Sequence, residues 1–275
     1  MPVRRKLKDL AVDPRFIPGV YNYCDRWCER CPLTSRCLTY AMEQQEEDAT
    51  DPASRDITNR AFWKRLEGIL REAHEMLDEI LKERGIELPP ADAEKERAFL
   101  RRHEDAREHP CAMAAAEYAR GVGAWIEAAG PRLQARGEAL ALQQEMGLRS
   151  VDPEAEAERR RDAVEVIQWY QRQIAVKIMR AVGTTACGDP DADLLDQSDS
   201  NGSAKVALLG MDRSVIAWTE LLRQMPDDED GILPLLVVLG RLRRDVEARF
   251  PAARAFVRPG FDTGETTSEA SVAAP

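Results

Sequence analysis

The sequence is poor in the residues that usually betray an enzyme. Histidine occurs only three times in 275 residues, at His74, His103 and His109. None has a glutamate three residues before it, which excludes the Glu-x-x-His pairs of a ferritin-like di-iron bundle. His74 lies between Glu72 and Glu75, but on the polar side of its helical pattern, so a solvated face is the reading there. There is no Gly-rich phosphate loop, no G-x-S-x-G elbow and no dinucleotide fingerprint. Whether the chain is an enzyme is left open, because no catalytic residue is legible.

Other absences narrow the class further. Aromatic residues make up only 6% of the chain. Ala, Leu, Glu and Arg are abundant, a composition that favours helix over sheet. No apolar run of signal-peptide length follows Arg4-Arg5-Lys6, and the longest run, Ile232–Gly240, is too short to cross a bilayer and contains Pro234. A cytoplasmic protein without a membrane partner is therefore expected. Positive charge is also in deficit: the net charge is −10, which argues against nucleic acid as a partner. Residues 1–40 are the exception, with eight Lys/Arg against four Asp/Glu. A basic head of this kind could meet an acidic protein partner or offset the charge of a thiolate–metal centre. Arg26, Arg30 and Arg36 are interleaved with cysteines, which favours the second.

Cysteine is what the chain does have, and in one place. Four of its six cysteines fall within fourteen residues, at Cys24, Cys28, Cys31 and Cys37. The spacing is C-x3-C-x2-C-x5-C. Clustered thiols in a chain without an export signal read as metal ligands rather than disulfides. Four thiolates satisfy tetrahedral zinc, and they equally satisfy an iron–sulfur cluster, where a proline beside a ligand recurs. Pro32 follows Cys31 directly. The ten residues Cys28–Cys37, CERCPLTSRC, resemble the C-x2-C-P-x4-C run that ligates 4Fe–4S clusters in RecB-like nucleases. Their C-x2-C-x5-C spacing is also similar to part of the auxiliary-cluster segment of some radical SAM enzymes. The resemblance implies a cluster and carries over no activity. Cys24, Cys28 and Cys31 share the C-x3-C-x2-C spacing of the radical SAM core. However, Arg30 stands where that family has an aromatic, and no βα repeat follows. No strand series is present to carry a nuclease site.

The reading is thus a 4Fe–4S centre held by Cys24, Cys28, Cys31 and Cys37, with Zn2+ as the alternative. Four protein ligands leave no open coordination position, which points to a structural, redox or sensing role, or under zinc to an interaction module without catalysis. Tyr21, Tyr23, Trp27 and Tyr40 flank the ligands. They are expected to anchor the knuckle and exclude water; stacking of single-stranded bases is the competing use, set against the acidic body. His109-Pro110-Cys111 places a second thiol at a helix start, where a reactive ligand and a buried, inert cysteine are the two readings. Cys187 falls in an acidic loop that discourages a thiolate.

The expected fold is all-α: about five long helices in a bundle, with the cysteine knuckle docked on it. Residues 1–50 form an arm and the knuckle, 51–257 the bundle and 258–275 a disordered tail. Asp51-Pro52 starts the first helix, and Phe62, Leu66, Ile69, Ala73, Met76, Leu77 and Ile80 form its apolar stripe, which Gly85 and Pro89-Pro90 end. A charged helix follows from Asp92, broken at Pro110. The Ala- and Gly-rich stretch Ala112–Gly130 is expected at the centre of the bundle, kinked at Pro131. Asp152-Pro153 starts a helix with a stripe of Val164, Ile167, Tyr170, Ile174, Ile178 and Val182. Trp169 and Val176 lie off that stripe, so the helix should pack on two sides. A solvated loop over 183–203 precedes a helix with Val206, Leu209, Val215, Ile216, Trp218 and Leu222 inward. The last helix turns Leu235, Leu239, Leu242 and Val246 inward. At the start of the helix after the loop, Asn201–Lys205 could offer backbone N–H groups to an anion.

Overall fold

A computed structural model describes residue 10 and residues 13–49, 56–87, 92–147, 152–185 and 198–262. Among the described residues the protein is helical throughout, with seven α-helices and no strand. They are α1 (Leu38–Ala49), α2 (Arg60–Arg84), α3 (Ala93–Glu108), α4 (Pro110–Glu145), α5 (Pro153–Thr185), α6 (Asp199–Gln224) and α7 (Glu229–Arg249). The all-α expectation holds. The count of long helices rises from about five to six, with α1 as a seventh, shorter helix. Among the described residues no helix is long and apolar enough to cross a membrane. The chain divides into two compact units: residues 1–17 with 31–97, and residues 18–30 with 98–275. The division falls inside the cysteine stretch, between Arg30 and Cys31.

In the first unit, the backbone N–H of Ile17 donates to the carbonyl of Arg36 at 3.0 Å, tying the arm to the stretch before α1. Leu10 and Leu33 are buried there. Helix α2 begins where Asn59 accepts from the N–H of Ala61 and ends at Gly85 in the left-handed region, φ 62°. Glycine fits that cap because it lacks the Cβ that penalises positive φ. The expected start at Asp51-Pro52 and the stop at Pro89-Pro90 lie outside the described residues. The stripe of α2 is helical in period, as read from sequence, but Ile69 and Leu77 along it are exposed.

The second unit is a bundle of α4 to α7 that also carries the end of α3. Pro110 marks the break between α3 and α4, as expected, and occupies the first turn of α4, where its missing N–H costs nothing. Helix α4 continues through Pro131 to Glu145. The α5 stripe lies in the core from Ile167 to Val182, with Val164 at its edge. Leu235, Leu239, Leu242 and Val246 of α7 are buried as read.

Helix α6 departs from the sequence reading in both start and phase. It begins at Asp199, capped by the Ser198 side chain on the N–H of Asn201, so 199–203 is helix rather than loop. Val206 and Trp218 are buried as read, but Ile216 is exposed and Leu209, Val215 and Leu222 are half-buried, while Ala204, Ala207, Leu208, Met211, Ser214, Ala217 and Leu221 are buried. The face is chosen by its small residues. A Cβ on Gly210 would stand 2.8 Å from the Tyr170 ring and 3.2 Å from Ile174, so α5 lies against the backbone of α6 there. This close approach, not the tally of large side chains, sets which side faces in. It is α6, rather than the Ala-rich α4, whose first turns are buried on nearly every side.

Candidate metal centre

The four cysteines fall on short, irregular backbone. Cys24 follows the 3-10 turn Val20–Asn22, Cys28 opens the turn Cys28–Arg30, Cys31 precedes the turn Thr34–Arg36, and Cys37 immediately precedes α1. Cys24 and Cys28 belong to the second unit, and Cys31 and Cys37 to the first. All four are half-buried. Among the described residues, no three His, Cys, Asp or Glu side chains are grouped closely enough to share one ion.

Two of the sulfurs each accept a backbone N–H. The N–H of Leu33 donates to Cys31 Sγ at 3.4 Å. The N–H of Arg26 donates likewise to Cys24. Each is a bond from residue i+2 back to the sulfur of residue i, the pattern by which a turn stabilises charge on a ligating thiolate. Arg26 adopts φ 60°, and it is the non-glycine residue with positive φ among the described residues. That conformation costs on the order of 1 kcal/mol or more, and it sets the direction in which the chain leaves the turn after Asp25. As a thiol, Cys24 donates to the carbonyl of Tyr21 at 3.5 Å. Burial raises its pKa first of all, opposed by the Arg26 N–H and by the charge of Lys177.

Lys177 is the residue the sequence reading missed. It is only 6% exposed. Its ammonium donates to the carbonyl of Asn22 at 3.2 Å. Burial holds its pKa down, and the charge of Cys24 is the foremost influence raising it. A buried ammonium whose charge is felt at a cysteine sulfur is a ready counter-charge for a thiolate. One signal was present in the sequence: Lys177 follows Ile174 by three residues and Tyr170 by seven, within the apolar arc of α5.

Residues 18–30 form a strap laid antiparallel along α5. At one end Tyr23 Oη donates to Asp199 at 3.0 Å, and its ring packs against Phe256 with centroids 4.6 Å apart. A Cβ at Gly202 would come within 2.4 Å of that ring, so the strap needs glycine at this turn of α6. In the middle, Trp169 Nε1 donates to the carbonyl of Asp25 at 3.0 Å. The Asp25 carboxylate accepts from Tyr170 Oη at 2.5 Å and from Arg213 Nη1 at 2.7 Å, while Arg213 also donates to Tyr170 Oη. Burial, then the Asp25 contact, pushes the Tyr170 pKa upward. At the far end Arg30 donates to Asp162 at 2.6 Å and to Glu165, and its guanidinium lies 4.1 Å from the centroid of the Trp27 ring.

These contacts sort the expected roles. Tyr23 and Trp27 anchor the strap, as read from sequence. Tyr21 is exposed and Tyr40 half-buried. Arg30 is engaged with two carboxylates, so its charge is largely spent on α5. The second packing side expected of α5 is the strap, which covers Trp169; Val176 is exposed.

The remaining candidates are quiet. His109 Nδ1 accepts from the N–H of Cys111 at 3.2 Å and so caps α4. Burial, then Arg249, lowers the His109 pKa. Cys111 is buried, and burial raises its thiol pKa, the environment of an inert cysteine. Cys187 lies outside the described residues. His74 and His103 are exposed on their helices. The helix start at Asn201–Lys205 is occupied by the chain itself: Gly202 seats Tyr23, and Lys205 Nζ reaches the carbonyl of Phe256 at 2.5 Å and Asp262 at 2.8 Å. No protein-family model matches this chain, and no curated protein or solved structure shows significant similarity to it.

Proposed function

We propose that this protein is a metal-binding helical protein in which Cys24, Cys28, Cys31 and Cys37 hold a 4Fe–4S cluster with a structural, redox or sensing role. The observation that carries this reading is the C-x3-C-x2-C-x5-C spacing with Pro32 beside a ligand. The N–H bonds to Cys24 and Cys31 and the buried ammonium of Lys177 beside Cys24 support it, because each favours the deprotonated sulfur. When bound, such a cluster supplies reversible one-electron transfer. The chain's own part is to furnish four thiolates, to offset their charge with Lys177 and Arg26, and to hold Cys24 and Cys28 in place on the anchored strap. With all four positions taken by protein, no site is left for substrate at the metal.

The same closed set of four sulfurs also fits zinc. Zinc would make the stretch a stabilised interaction module, with an apparent binding energy of ~10–16 kcal/mol available to fold it. Purification without oxygen, followed by a visible spectrum and iron, sulfide and zinc analysis, separates the two. A brown protein bleached by dithionite, with iron and sulfide, is the expected result. A colourless protein with one zinc and no sulfide overturns the cluster.

A further inference from the structure

Helix α2 carries an apolar face on which the chain leaves Ile69, Trp63, Leu70 and Leu77 exposed by 39%, 54%, 62% and 48%. The stripe is more regular than an ordinary surface helix requires. Phe62, Leu66, Ile69, Ala73, Met76 and Ile80 follow spacings of 4, 3, 4, 3 and 4. That is the alternation of heptad positions d and a in a two-helix seam. Trp63, Leu70 and Leu77 recur every seven residues on one flank, and Arg65, Glu72 and Glu79 on the other. The opposite side, including Lys64, Glu67, Arg71, Glu75 and Asp78, is charged.

We propose that α2 pairs antiparallel with α2 of a second copy of this chain, an inference independent of the metal reading. In one register every apolar position on the face finds an apolar partner. Phe62 meets the partner's Ile80, Leu66 meets the partner's Met76, and Ile69 meets the partner's Ala73, with each pair repeated by the two-fold axis. On the flank, Trp63 meets the partner's Leu77, and Leu70 meets the partner's Leu70. On the other flank Arg65 falls opposite the partner's Glu79, giving two charge pairs of opposite sign on either side of one like-charge contact, Glu72 with the partner's Glu72, at the axis. A parallel pair lacks all of this. It would stack Ala73 on the partner's Ala73 and Phe62 on the partner's Phe62, leaving one layer too thin and one too thick, and it would set Arg65 against the partner's Leu70. The large–small pairing of Ile69 with Ala73 suits close approach at the centre, and Gly68 beside it has no atom within 4 Å of an added Cβ.

Sedimentation equilibrium on the full chain tests the pairing. The expected result is a dimer that Leu70→Glu dissociates by about a hundredfold in Kd, because the substitution sets two carboxylates face to face on the axis, with helix content by circular dichroism unchanged. Arg65→Glu and Glu79→Arg should each weaken the dimer by about threefold to tenfold, and the double exchange should restore it. A wild-type monomer at about 100 µM overturns the proposal, as does a dimer indifferent to Leu70→Glu. A monomer that instead binds phosphatidylglycerol vesicles through this face assigns it to a lipid surface and equally overturns it. A double exchange that fails to restore the dimer overturns the antiparallel register.

Discussion

Trp27 lies flat on Trp169, with ring centroids 5.0 Å apart and planes 16° from parallel. The first ring comes from the strap between two cysteines, and the second from the flank of α5. Tyr170 meets the same Trp27 ring edge-on at 6.0 Å, and Arg30 covers it. The pair therefore ties the position of Cys28, one residue beyond Trp27, to the bundle. Trp27→Ala removes the stack and most of its buried area and should cost about 3–5 kcal/mol. Urea unfolding measures this. A loss below about 1 kcal/mol would mean that the strap is not anchored through this ring.

Gly202 and Gly123 should respond oppositely to the same change. A Cβ at Gly202 has nowhere to go beneath Tyr23, whereas one at Gly123 meets nothing within 4 Å. Gly202→Ala is expected to destabilise by about 1–3 kcal/mol. Gly123→Ala, in the exposed middle of α4, should stabilise by about 0.5–1 kcal/mol. Thermal melts of the two variants side by side check the contrast.

Cys31→Ser should lower the bound metal and the solubility together, because Cys31 belongs to the central C-x2-C pair and accepts the Leu33 N–H. Metal analysis after purification measures the loss. A variant with wild-type metal content would remove Cys31 from the ligand set.

Lys177→Met separates two effects of one buried charge. Without metal, the substitution removes a desolvated ammonium whose pKa is already held down by burial. With metal, it removes the cation beside Cys24 and should reduce metal retention against a chelator. Equal retention in variant and wild type would show that Lys177 serves only the carbonyl of Asn22.

Tyr118 gives a test in alkali. Its hydroxyl accepts from Trp218 Nε1 at 2.9 Å, and burial pushes its pKa up to about 12. The folded value lies above the unfolded one. The stability is therefore fully present below about pH 10 and is lost as pH rises from there toward 12. Tyr118→Phe should cost about 1–2 kcal/mol at neutral pH, because it leaves the Trp218 N–H without an acceptor. It should also flatten the alkaline decline, in which Tyr170 shares. Denaturant midpoints between pH 8 and pH 11.5 (about the usable range) follow both effects.

Much of the framework was written in local pattern. Asp152 accepts from the Glu154 N–H at 2.9 Å at the start of α5, Pro110 opens α4, and the stripes of α5 and α7 are buried as their periodicity requires. Such signals are readable because capping and amphipathicity act over a few residues. The candidate ligands were legible for the same reason: their spacing is a property of one short stretch.

What covers each face was not local. Periodicity says that α2 has an apolar side, yet only the tertiary structure leaves Leu70 and Leu77 exposed. On α6 the large residues pointed to Ile216, but Gly210 and Ala207 decided the inward face, because a missing side chain adds nothing to a hydrophobic pattern while setting how closely two helices approach. The partners of the strap, Asp199, Lys177, Tyr170 and Arg213, lie more than a hundred residues from it in the chain. The sequence by itself determined the helices and the four thiols. Only the fold brought Lys177 to Cys24 and Tyr170 to Asp25, because contacts between distant residues depend on how the helices pack and not on the pattern within any one of them.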